Sequence, residues 1–431
     1  QSTMNKHHFE YAEWTVTETQ FDPATIHHKE TVFTIGNGYL GTRGSFEEGY
    51  HAPRPATLIH GVYDDVPVVY KELANCPDWL PIAIIVDGDR FRLDQGEILR
   101  YRRQLDLRRG LLSRDVLWRT PGGKTLDLHF ERFASLENEH TLAISVTITP
   151  VNFDGEIEVQ ASINGYPENQ GVLHWEWRSQ VEPGNQGKNQ GVFPWEWRSQ
   201  VEPGNQGKNQ GVFPWFPGSQ VEPGNQGNQG NEGSTEVENP IPHSPFPIPH
   251  SQNIWLHVRT RSSNIELGMA ARLSVAGVEN VKMQLKGCEG YPTVAATYEG
   301  NVGRSVTLEK VVSVFTSRET KTPIQTAREH LANCPDYQTL RSKHEAAWAE
   351  IWENCDILIE GDPIAQIAVR YNLFQLLIVA PRHDDRVSIG AKTLSGFAYR
   401  GHVFWDTEIF ILPVLTFTLP QLAKNLLTYR Y

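Results

Sequence analysis

The residues best suited to chemistry lie in one short segment, 401–408, which contains two aromatic rings, two carboxylates and a histidine. An aromatic face beside a carboxylate that accepts hydroxyl hydrogen bonds is well suited to holding a sugar ring. Asp406 and Glu408 stand two residues apart, and on a helix this spacing points their side chains in different directions. We therefore predict that Trp405 and Asp406 bind a ligand and that the two carboxylates do not form a facing acid–base pair. The alternative is a helix N-terminus that Asp406 caps.

Other polar segments have simpler interpretations. His402 is best interpreted as a structural hydrogen-bond donor, and residues 382–386, Arg-His-Asp-Asp-Arg, indicate a solvated charged loop. Residues 36–38, Gly-Asn-Gly, predict a tight turn, because neither a Lys-Ser/Thr pair nor a helix follows as in a phosphate-binding loop. The sequence has no Gly-x-Ser-x-Gly, His-Glu-x-x-His or Walker motif. Covalent serine chemistry and a metal site are therefore disfavoured, and no cofactor is expected.

The composition excludes several classes of partner. A formal net charge of -12 over 431 residues argues against nucleic acid and anionic membranes, which are bound through excess Lys and Arg. The four cysteines show no Cys-x-x-Cys spacing, which indicates reduced thiols and no structural zinc. The N-terminus lacks the apolar core of a signal peptide, and no apolar run reaches the length of a membrane span. We expect a cytoplasmic protein of two or three domains.

Residues 10–165 have the pattern of an all-β region. Short apolar or alternating runs separated by turn formers occur at 31–35, 56–62, 82–86, 125–133 and 141–149. Strand patterning resumes later, at 254–260, 265–275, 293–298 and 305–317. Many short strands at this spacing predict a sandwich rather than βαβ units, and strands on both sides of the interruption are expected to share sheets.

A repeated block causes the interruption. From residue 169 to about 252, a unit containing Trp-Glu-Trp-Arg-Ser-Gln-Val-Glu-Pro-Gly recurs with a period of 20, and Gly/Asn/Gln-rich and Pro-rich stretches follow. Each unit has few aliphatic residues and a Pro-Gly break, so it cannot build a continuous core. We predict a disordered surface insertion at about 176–252; the alternative is an arm whose aromatic residues bind sugar or a partner.

Helical patterning begins near residue 323. Trp348 and Trp352 lie on an apolar stripe within 337–355 and are expected to pack on the β domain. Asp362 followed by Pro363 predicts a helix N-cap, and the helix to about residue 379 is apolar enough to require burial on most sides. Further helices are predicted at 406–415 and from Pro420 onward. We expect the last helices to be too few to cover one another, as in an incomplete helical domain.

Three segments resemble glycoside hydrolase family 65. Residues 30–44, Glu-Thr-Val-Phe-Thr-Ile-Gly-Asn-Gly-Tyr-Leu-Gly-Thr-Arg-Gly, and residues 105–110, Leu-Asp-Leu-Arg-Arg-Gly, are similar to its N-terminal signature, and residues 401–408 resemble its first active-site motif. The resemblance covers residues 10 to about 175 and about 253 to 431. It implies an N-terminal super-β-sandwich over 1–322, a helical linker over 323–361 and the truncated start of an (α/α)₆ barrel over 362–431.

The resemblance also implies a reaction. Family members include maltose, kojibiose, nigerose and trehalose phosphorylases, in which a glutamic acid protonates the glycosidic oxygen while inorganic phosphate attacks the anomeric carbon. The family's Trp-Asp pair carries over to Trp405 and Asp406, and we predict these residues, with Phe404 and His402 beside them, as substrate-binding. The expected ligands are an α-linked glucose disaccharide and phosphate, and the resemblance allows a homodimer for the full-length family. The general acid is expected downstream of Tyr431, so this chain is predicted to be inactive by itself.

Two other functions stay open on the sequence. A hydrolase of the same family, such as a trehalase, would lack the phosphate-binding loop. A non-catalytic carbohydrate-binding or interaction protein would use the sandwich or the aromatic repeats. Loss of glucoside binding on replacing Trp405 favours the active-site interpretation, and loss on deleting 176–252 favours the repeats.

Overall fold

The computed structural model describes residues 9–66, 70–180 and 250–431. The strands pair antiparallel with their neighbours and are β1 Phe9–Tyr11, β2 Thr15–Glu18, β3 Ile35–Gly36, β4 Leu40–Thr42, β5 Thr57–Val66, β6 Tyr70–Asn75, β7 Ile82–Val86, β8 Asp89–Arg90, β9 Glu97–Asp106, β10 Leu111–Arg119, β11 Thr125–Ala134, β12 Thr141–Pro150, β13 Gly155–Ser162, β14 Trp175–Gln180, β15 Ser251–Thr260, β16 Glu266–Ala276, β17 Val281–Cys288, β18 Tyr291–Gly300 and β19 Val306–Thr316. The α-helices are α1 Ile26–Val32, α2 Pro323–Asn333, α3 Tyr337–Cys355, α4 Pro363–Leu377, α5 Leu412–Thr418 and α6 Pro420–Arg430. No helix in these described ranges is long and apolar enough to cross a membrane.

The strands form two packed layers. One is a ten-stranded sheet in the order β1-β2-β9-β10-β11-β12-β19-β16-β15-β14; the other elements form a five-stranded sheet, β17-β18-β13-β7-β8, and a four-stranded sheet, β3-β4-β5-β6. Alternate residues of β12, such as Ile144 and Val146, share one core cluster with Ile84 of β7 and Val159 of β13. Period-2 burial facing a second sheet defines a sandwich. The predicted β-sandwich followed by helices is confirmed.

The N-terminal part contains the main error in the strand prediction. Residues 31–35 were expected to form a strand, but α1 occupies 26–32 and only the two-residue β3 follows. β-branched residues favour strands weakly, and burial decides such segments. Here Asp22 accepts the backbone N–H of Ala24 to open a 3-10 turn that leads into α1. In α1, Lys29 is buried against Glu18 with the two charged groups 2.5 Å apart.

The predicted tight turn at 36–38 is confirmed. Asn37 is fully buried, and its side-chain oxygen accepts the backbone N–H groups of Tyr39 and Leu40 at 3.2 Å. Its side-chain amide donates to the carbonyl groups of Ser135 and Glu139, both at 2.9 Å. The turn therefore anchors the β3–β4 hairpin to the large sheet and does not offer its polar groups to a ligand.

The strands beside the interruption share a sheet, as predicted. β14 pairs with β15, so Trp175 lies opposite Thr260. β14 contains the first copy of the repeated Trp-Glu-Trp-Arg-Ser-Gln sequence, and Trp175 is fully buried, with its indole N–H donating to the carbonyl of Asn75 at 2.6 Å. This first copy is an ordered strand, which the repeat composition did not predict. The disorder predicted for the following copies lies outside the described residues.

Helices α2 and α3 cover the outer face of the ten-stranded sheet, and the two tryptophans of α3 are core residues as predicted. Trp348 stacks on Phe374 of α4 with ring centroids 5.0 Å apart, and Trp352 donates to the carbonyl of Leu107 at 2.9 Å. Gly110 has a φ of +64°, and a β-carbon there would lie 2.0 Å from the Trp348 indole nitrogen. The glycine at the end of the 105–110 segment is therefore required for this helix to dock.

The predicted N-cap of α4 is confirmed, and it carries a stability prediction. Asp362 accepts the backbone N–H groups of Ile364 and Ala365 at 3.1 and 3.0 Å. Replacing Asp362 by alanine is expected to cost about 1 kcal/mol of unfolding free energy, because the first-turn donors lose their acceptor. Urea unfolding monitored by circular dichroism measures it. Glu360→Ala, two residues earlier and exposed, is the control, and an equal effect of the two variants would contradict the capping role.

The remaining helices differ from the prediction in detail. Residues 406–415 were expected to form one helix, but a π-helical turn, Thr407–Ile411, precedes α5. Pro413 is the physical reason, because it has no N–H to donate to residue 409 and its ring favours the start of a helix. Burial of α4 is less complete than expected, since Ile364 is 56% exposed. The 90% exposure of Phe417 on α5 agrees with the expectation that the last helices do not cover one another.

Candidate functional site

A left-handed turn precedes the motif at 401–408. Tyr399 and Arg400 have φ values of 56° and 57°, and Gly401 follows with a φ of 75°. A non-glycine residue in this conformation costs about 1–2 kcal/mol, so the turn must be held by its surroundings. Gly401 has a second constraint, because a β-carbon there would lie 2.6 Å from the Leu73 β-carbon of β6. The turn thus fits closely against the sandwich.

Hydrogen bonds to the sandwich and to the loop after α4 hold the motif in place. The Tyr63 hydroxyl donates to the Gly401 carbonyl at 2.6 Å, and burial raises the pKa of Tyr63 to about 12, so this donor stays protonated at neutral pH. The His402 Nε2 lies 2.8 Å from the Lys71 carbonyl, a contact in which the ring nitrogen donates. The buried Thr407 hydroxyl donates to the Ile389 carbonyl at 2.8 Å. These bonds connect the motif to β5, to β6 and to the loop after α4.

The motif presents an aromatic and acidic face to solvent. Trp405 is 75% exposed and Phe404 is 43% exposed, and the Phe404 ring meets the Tyr399 ring edge-on at 5.8 Å. Asp406 is exposed and does not cap the turn that follows it. The capping alternative for Asp406 therefore has no hydrogen bond to support it. An exposed indole beside an exposed carboxylate can stack on a sugar ring and accept its hydroxyl hydrogen bonds.

Glu408 has a different environment from Asp406. Its carboxylate receives two hydrogen bonds from the Arg430 guanidinium of α6, at 2.7 and 3.2 Å, and the same guanidinium donates to the Phe404 carbonyl at 3.0 Å. These bonds hold the pKa of Glu408 below its usual value. A general acid needs a raised pKa so that it carries a proton at neutral pH. Glu408 therefore links α6 to the motif and is unsuited to donate a proton.

The charged loop at 382–386 is less solvated than predicted. Asp384 pairs with Arg318 of the sandwich at 3.0 Å and with Arg386 at 2.8 Å. Burial lowers the pKa of Arg382 to about 10, and its guanidinium donates to the Leu377 carbonyl at 3.2 Å. The prediction of a solvated loop holds for His383, Asp385 and Arg386, which are exposed. It fails for Arg382 and Asp384, which are partly buried and contact the Leu377 carbonyl and Arg318.

The described residues hold no group of three or more His, Cys, Asp or Glu side chains that could bind a metal ion. All four cysteines are free thiols. Two grooves of about 550 and 440 Å³ open on the sandwich, one beside Tyr298 and Glu299 and the other beside Trp177 and Cys288. Neither groove is lined by a residue of the motif.

The sandwich residues that contact the motif were not predicted from the sequence. Tyr63 is 338 positions from Gly401, and Lys71 is 331 positions from His402. No local pattern marks such a pair in a single sequence. The one available signal was the glycine before His402, since an isolated glycine beside bulky residues often indicates a close backbone approach.

Comparisons with known proteins agree with this architecture. The description "Glycosyl hydrolase family 65, N-terminal domain" matches residues 16–194 and 219–351, and "Glycosyl hydrolase family 65 central catalytic domain" matches residues 370–431. The chain is 32% identical to a kojibiose phosphorylase of Halothermothrix orenii, over 98% of this chain and 47% of the relative. It is 29% identical to an α,α-trehalose phosphorylase of Thermoanaerobacter brockii, over 98% of this chain and 50% of the relative.

A solved structure shares the fold. It is a human-microbiome protein provisionally named a kojibiose phosphorylase, and it matches with a TM-score of 0.75 at 21% identity, over 99% of this chain and 49% of that chain. The chain spans about half the length of the curated relatives it matches. The N-terminal family description alone covers more than half of the 431 residues. On these matches and on the sandwich they share, this chain belongs to glycosyl hydrolase family 65.

Proposed function

We propose that this chain supplies the sandwich and part of the glucosyl-binding site of an inverting α-glucosyl disaccharide phosphorylase. The observation that carries the proposal is the exposed pair Trp405 and Asp406, which makes a sugar-binding face on a chain of this family. The names of the relatives, kojibiose phosphorylase and α,α-trehalose phosphorylase, favour phosphorolysis over hydrolysis. Phe404 extends the same face, and inorganic phosphate is the co-substrate with no further cofactor.

The proposed reaction exchanges one bond for another. A phosphate oxygen bonds to the anomeric carbon from the face opposite the leaving group, the glycosidic C–O bond breaks, and a general acid gives its proton to the departing oxygen. The products are β-glucose 1-phosphate and a free sugar. Phosphate is already an anion, so no side chain has to remove a proton from the nucleophile.

The proposal assigns no general acid to this chain. The nearest glutamate to the binding pair is Glu408, and its two hydrogen bonds from Arg430 favour the ionised form. An ionised carboxylate cannot protonate the glycosidic oxygen. Trp405 and Asp406 therefore bind the glucosyl unit, and proton donation belongs to a residue outside this segment.

An activity measurement tests this division of roles. The purified chain is expected to bind kojibiose or trehalose in calorimetry and to release no glucose 1-phosphate from either sugar with phosphate present. Cellobiose, a β-linked glucose disaccharide, is the control ligand and is expected not to bind. Phosphate-dependent turnover would overturn the assignment of the acid, and absence of saturable binding would overturn the glucosyl site. Release of free glucose without phosphate would indicate a hydrolase.

A further inference from the structure

The sandwich makes contacts with the motif that the proposed chemistry does not use. β6 is an edge strand of the four-stranded sheet, and the turn at 399–401 lies against it. The Tyr63 hydroxyl, from the neighbouring strand β5, donates to the Gly401 carbonyl at 2.6 Å. His402 donates to the Lys71 carbonyl of β6 at 2.8 Å. A tyrosine and a histidine thus join one turn to two adjacent strands on either side of the Gly401–His402 peptide bond.

The turn needs such support. Tyr399 and Arg400 are left-handed without being glycine, and local bonds from Arg400 N–H to the Phe397 carbonyl and from His402 N–H to the Tyr399 carbonyl close it only on itself. Backbone of this kind persists where surrounding contacts determine it. The contacts from β5 and β6 join the turn to the sandwich, and the Ala391 N–H, from the loop after α4, donates to the His402 carbonyl at 3.3 Å. Loss of these contacts is expected to loosen the turn that leads to Trp405 and Asp406.

We propose that Tyr63 and His402 are positioning residues, which set the orientation of the Trp405–Asp406 face by joining the left-handed turn to strands β5 and β6. This inference rests on the proposed glucosyl-binding role of that face. It assigns His402 a role through its Lys71 contact, in agreement with its interpretation as a structural hydrogen-bond donor, and not the substrate contact that the family resemblance implies. It also makes the β-sandwich a part of the binding site and not only a platform beside it.

The variant Tyr63→Phe tests the inference because it keeps the ring and removes only the hydroxyl. Amide hydrogen exchange at 399–402, followed by mass spectrometry, is expected to accelerate about fivefold, the effect of losing one ordinary hydrogen bond. The dissociation constant for kojibiose is expected to rise about fivefold, and the melting temperature is expected to fall no more than in the matched control. Tyr371→Phe is the matched control: its hydroxyl donates to the Val32 carbonyl at 3.0 Å, between α4 and the sandwich but away from the turn. Neither measurement is expected to change in this control.

The two measurements separate the inference from the proposed function. Unchanged exchange at 399–402 in Tyr63→Phe overturns the positioning role whether or not any sugar binds. Faster exchange with unchanged kojibiose affinity overturns the link from the turn to the binding face. If the unmodified chain binds neither kojibiose nor trehalose, the proposed function fails, and with it the claim that the turn serves a glucosyl site. The second variant, His402→Phe, is expected to reproduce the faster exchange because it removes the bond to Lys71.

Discussion

Replacing Trp405 by alanine is expected to weaken kojibiose binding at least about tenfold while changing the unfolding free energy by less than about 0.5 kcal/mol. The indole is 75% exposed, so its removal opens no cavity in the core. A stacked aromatic ring contributes about 0.5–1.5 kcal/mol beyond the apolar area it buries, and the two contributions together exceed the 1.4 kcal/mol of a tenfold change. Calorimetric titration and urea unfolding measure the two quantities.

Phe417→Ala is the matched control for this prediction. Phe417 is 90% exposed on α5, outside the motif, and its loss is expected to leave kojibiose affinity unchanged. Asp406→Asn is expected to weaken binding to a similar degree as Trp405→Ala, because a charged acceptor of hydroxyl hydrogen bonds becomes a neutral one. Unchanged kojibiose affinity in Trp405→Ala would contradict the proposal that Trp405 and Asp406 bind the sugar.

The alternative is that the repeated block binds the sugar. The strand bounds show which residues can be deleted to test it. Deleting 176–252 would remove most of β14 and the start of β15, and the ten-stranded sheet would lose paired strands. Deleting residues 181–249 and joining the ends with a short glycine linker keeps both described strands. Loss of kojibiose binding in that variant, with Trp405→Ala unaffected, would assign sugar recognition to the repeats.

The second large effect is expected at Glu47, which is 6% exposed and lies between two buried guanidinium groups. Arg132 donates to one carboxylate oxygen at 2.5 Å, and Arg114 donates to the other at 2.9 Å. Glu47→Gln leaves these buried cations with one fewer anion, since Glu48 pairs only with Arg114. We expect a loss of about 3–5 kcal/mol of unfolding free energy, measured by urea unfolding.

The control is the exposed ion pair of Glu97 and Arg119. Their charged atoms are 3.0 Å apart, but Glu97 is 61% exposed, so Glu97→Gln is expected to cost about 1 kcal/mol or less. Equal losses of unfolding free energy in the Glu47 and Glu97 variants would show that burial does not increase the contribution of the ion pair to stability. Kojibiose affinity is a further quantity to measure in Glu47→Gln. Arg132 of the cluster donates to the Arg43 carbonyl, and the Arg43 guanidinium donates to the Ser395 carbonyl at 2.5 Å, in the loop that leads to Gly401.

The pH dependence of this effect has a definite sign. Burial alone would raise the pKa of Glu47, but Arg132 and Arg114 outweigh it, and the pKa lies below the ordinary 4.5. A carboxylate whose pKa is lower in the folded state makes its full contribution to stability when the pH is above its pKa in the unfolded state. That contribution is lost as the pH falls through its pKa in the folded state. The difference between the natural chain and Glu47→Gln is therefore expected to be largest near neutral pH and to shrink below about pH 4.5.

The elements predicted well are those whose cause lies in neighbouring residues. The run at 82–86 is β7 with the same bounds, and Asp362 before Pro363 caps α4, because a short apolar run and a helix cap act over a few positions. The strand prediction for residues 31–35 was wrong because its cause lies outside the neighbouring residues. The β-branched residues favour a strand locally, and the burial of α1 in the folded chain decides against it. The π-helical turn at Thr407–Ile411 likewise depends on Pro413 and on packing together.

The sequence by itself determined the chemistry of the proposed binding face: an indole beside a carboxylate, on a chain whose motifs resemble one family. The tertiary structure alone decided which carboxylate is free. Asp406 and Glu408 are two positions apart and both carry a carboxylic acid. Only the fold brings the Arg430 guanidinium to Glu408. It also decided what holds the face, since Tyr63 and Lys71 reach the turn from more than 300 positions away. Side-chain type is a property of each residue, whereas partners at such separations exist only after the sheets have packed.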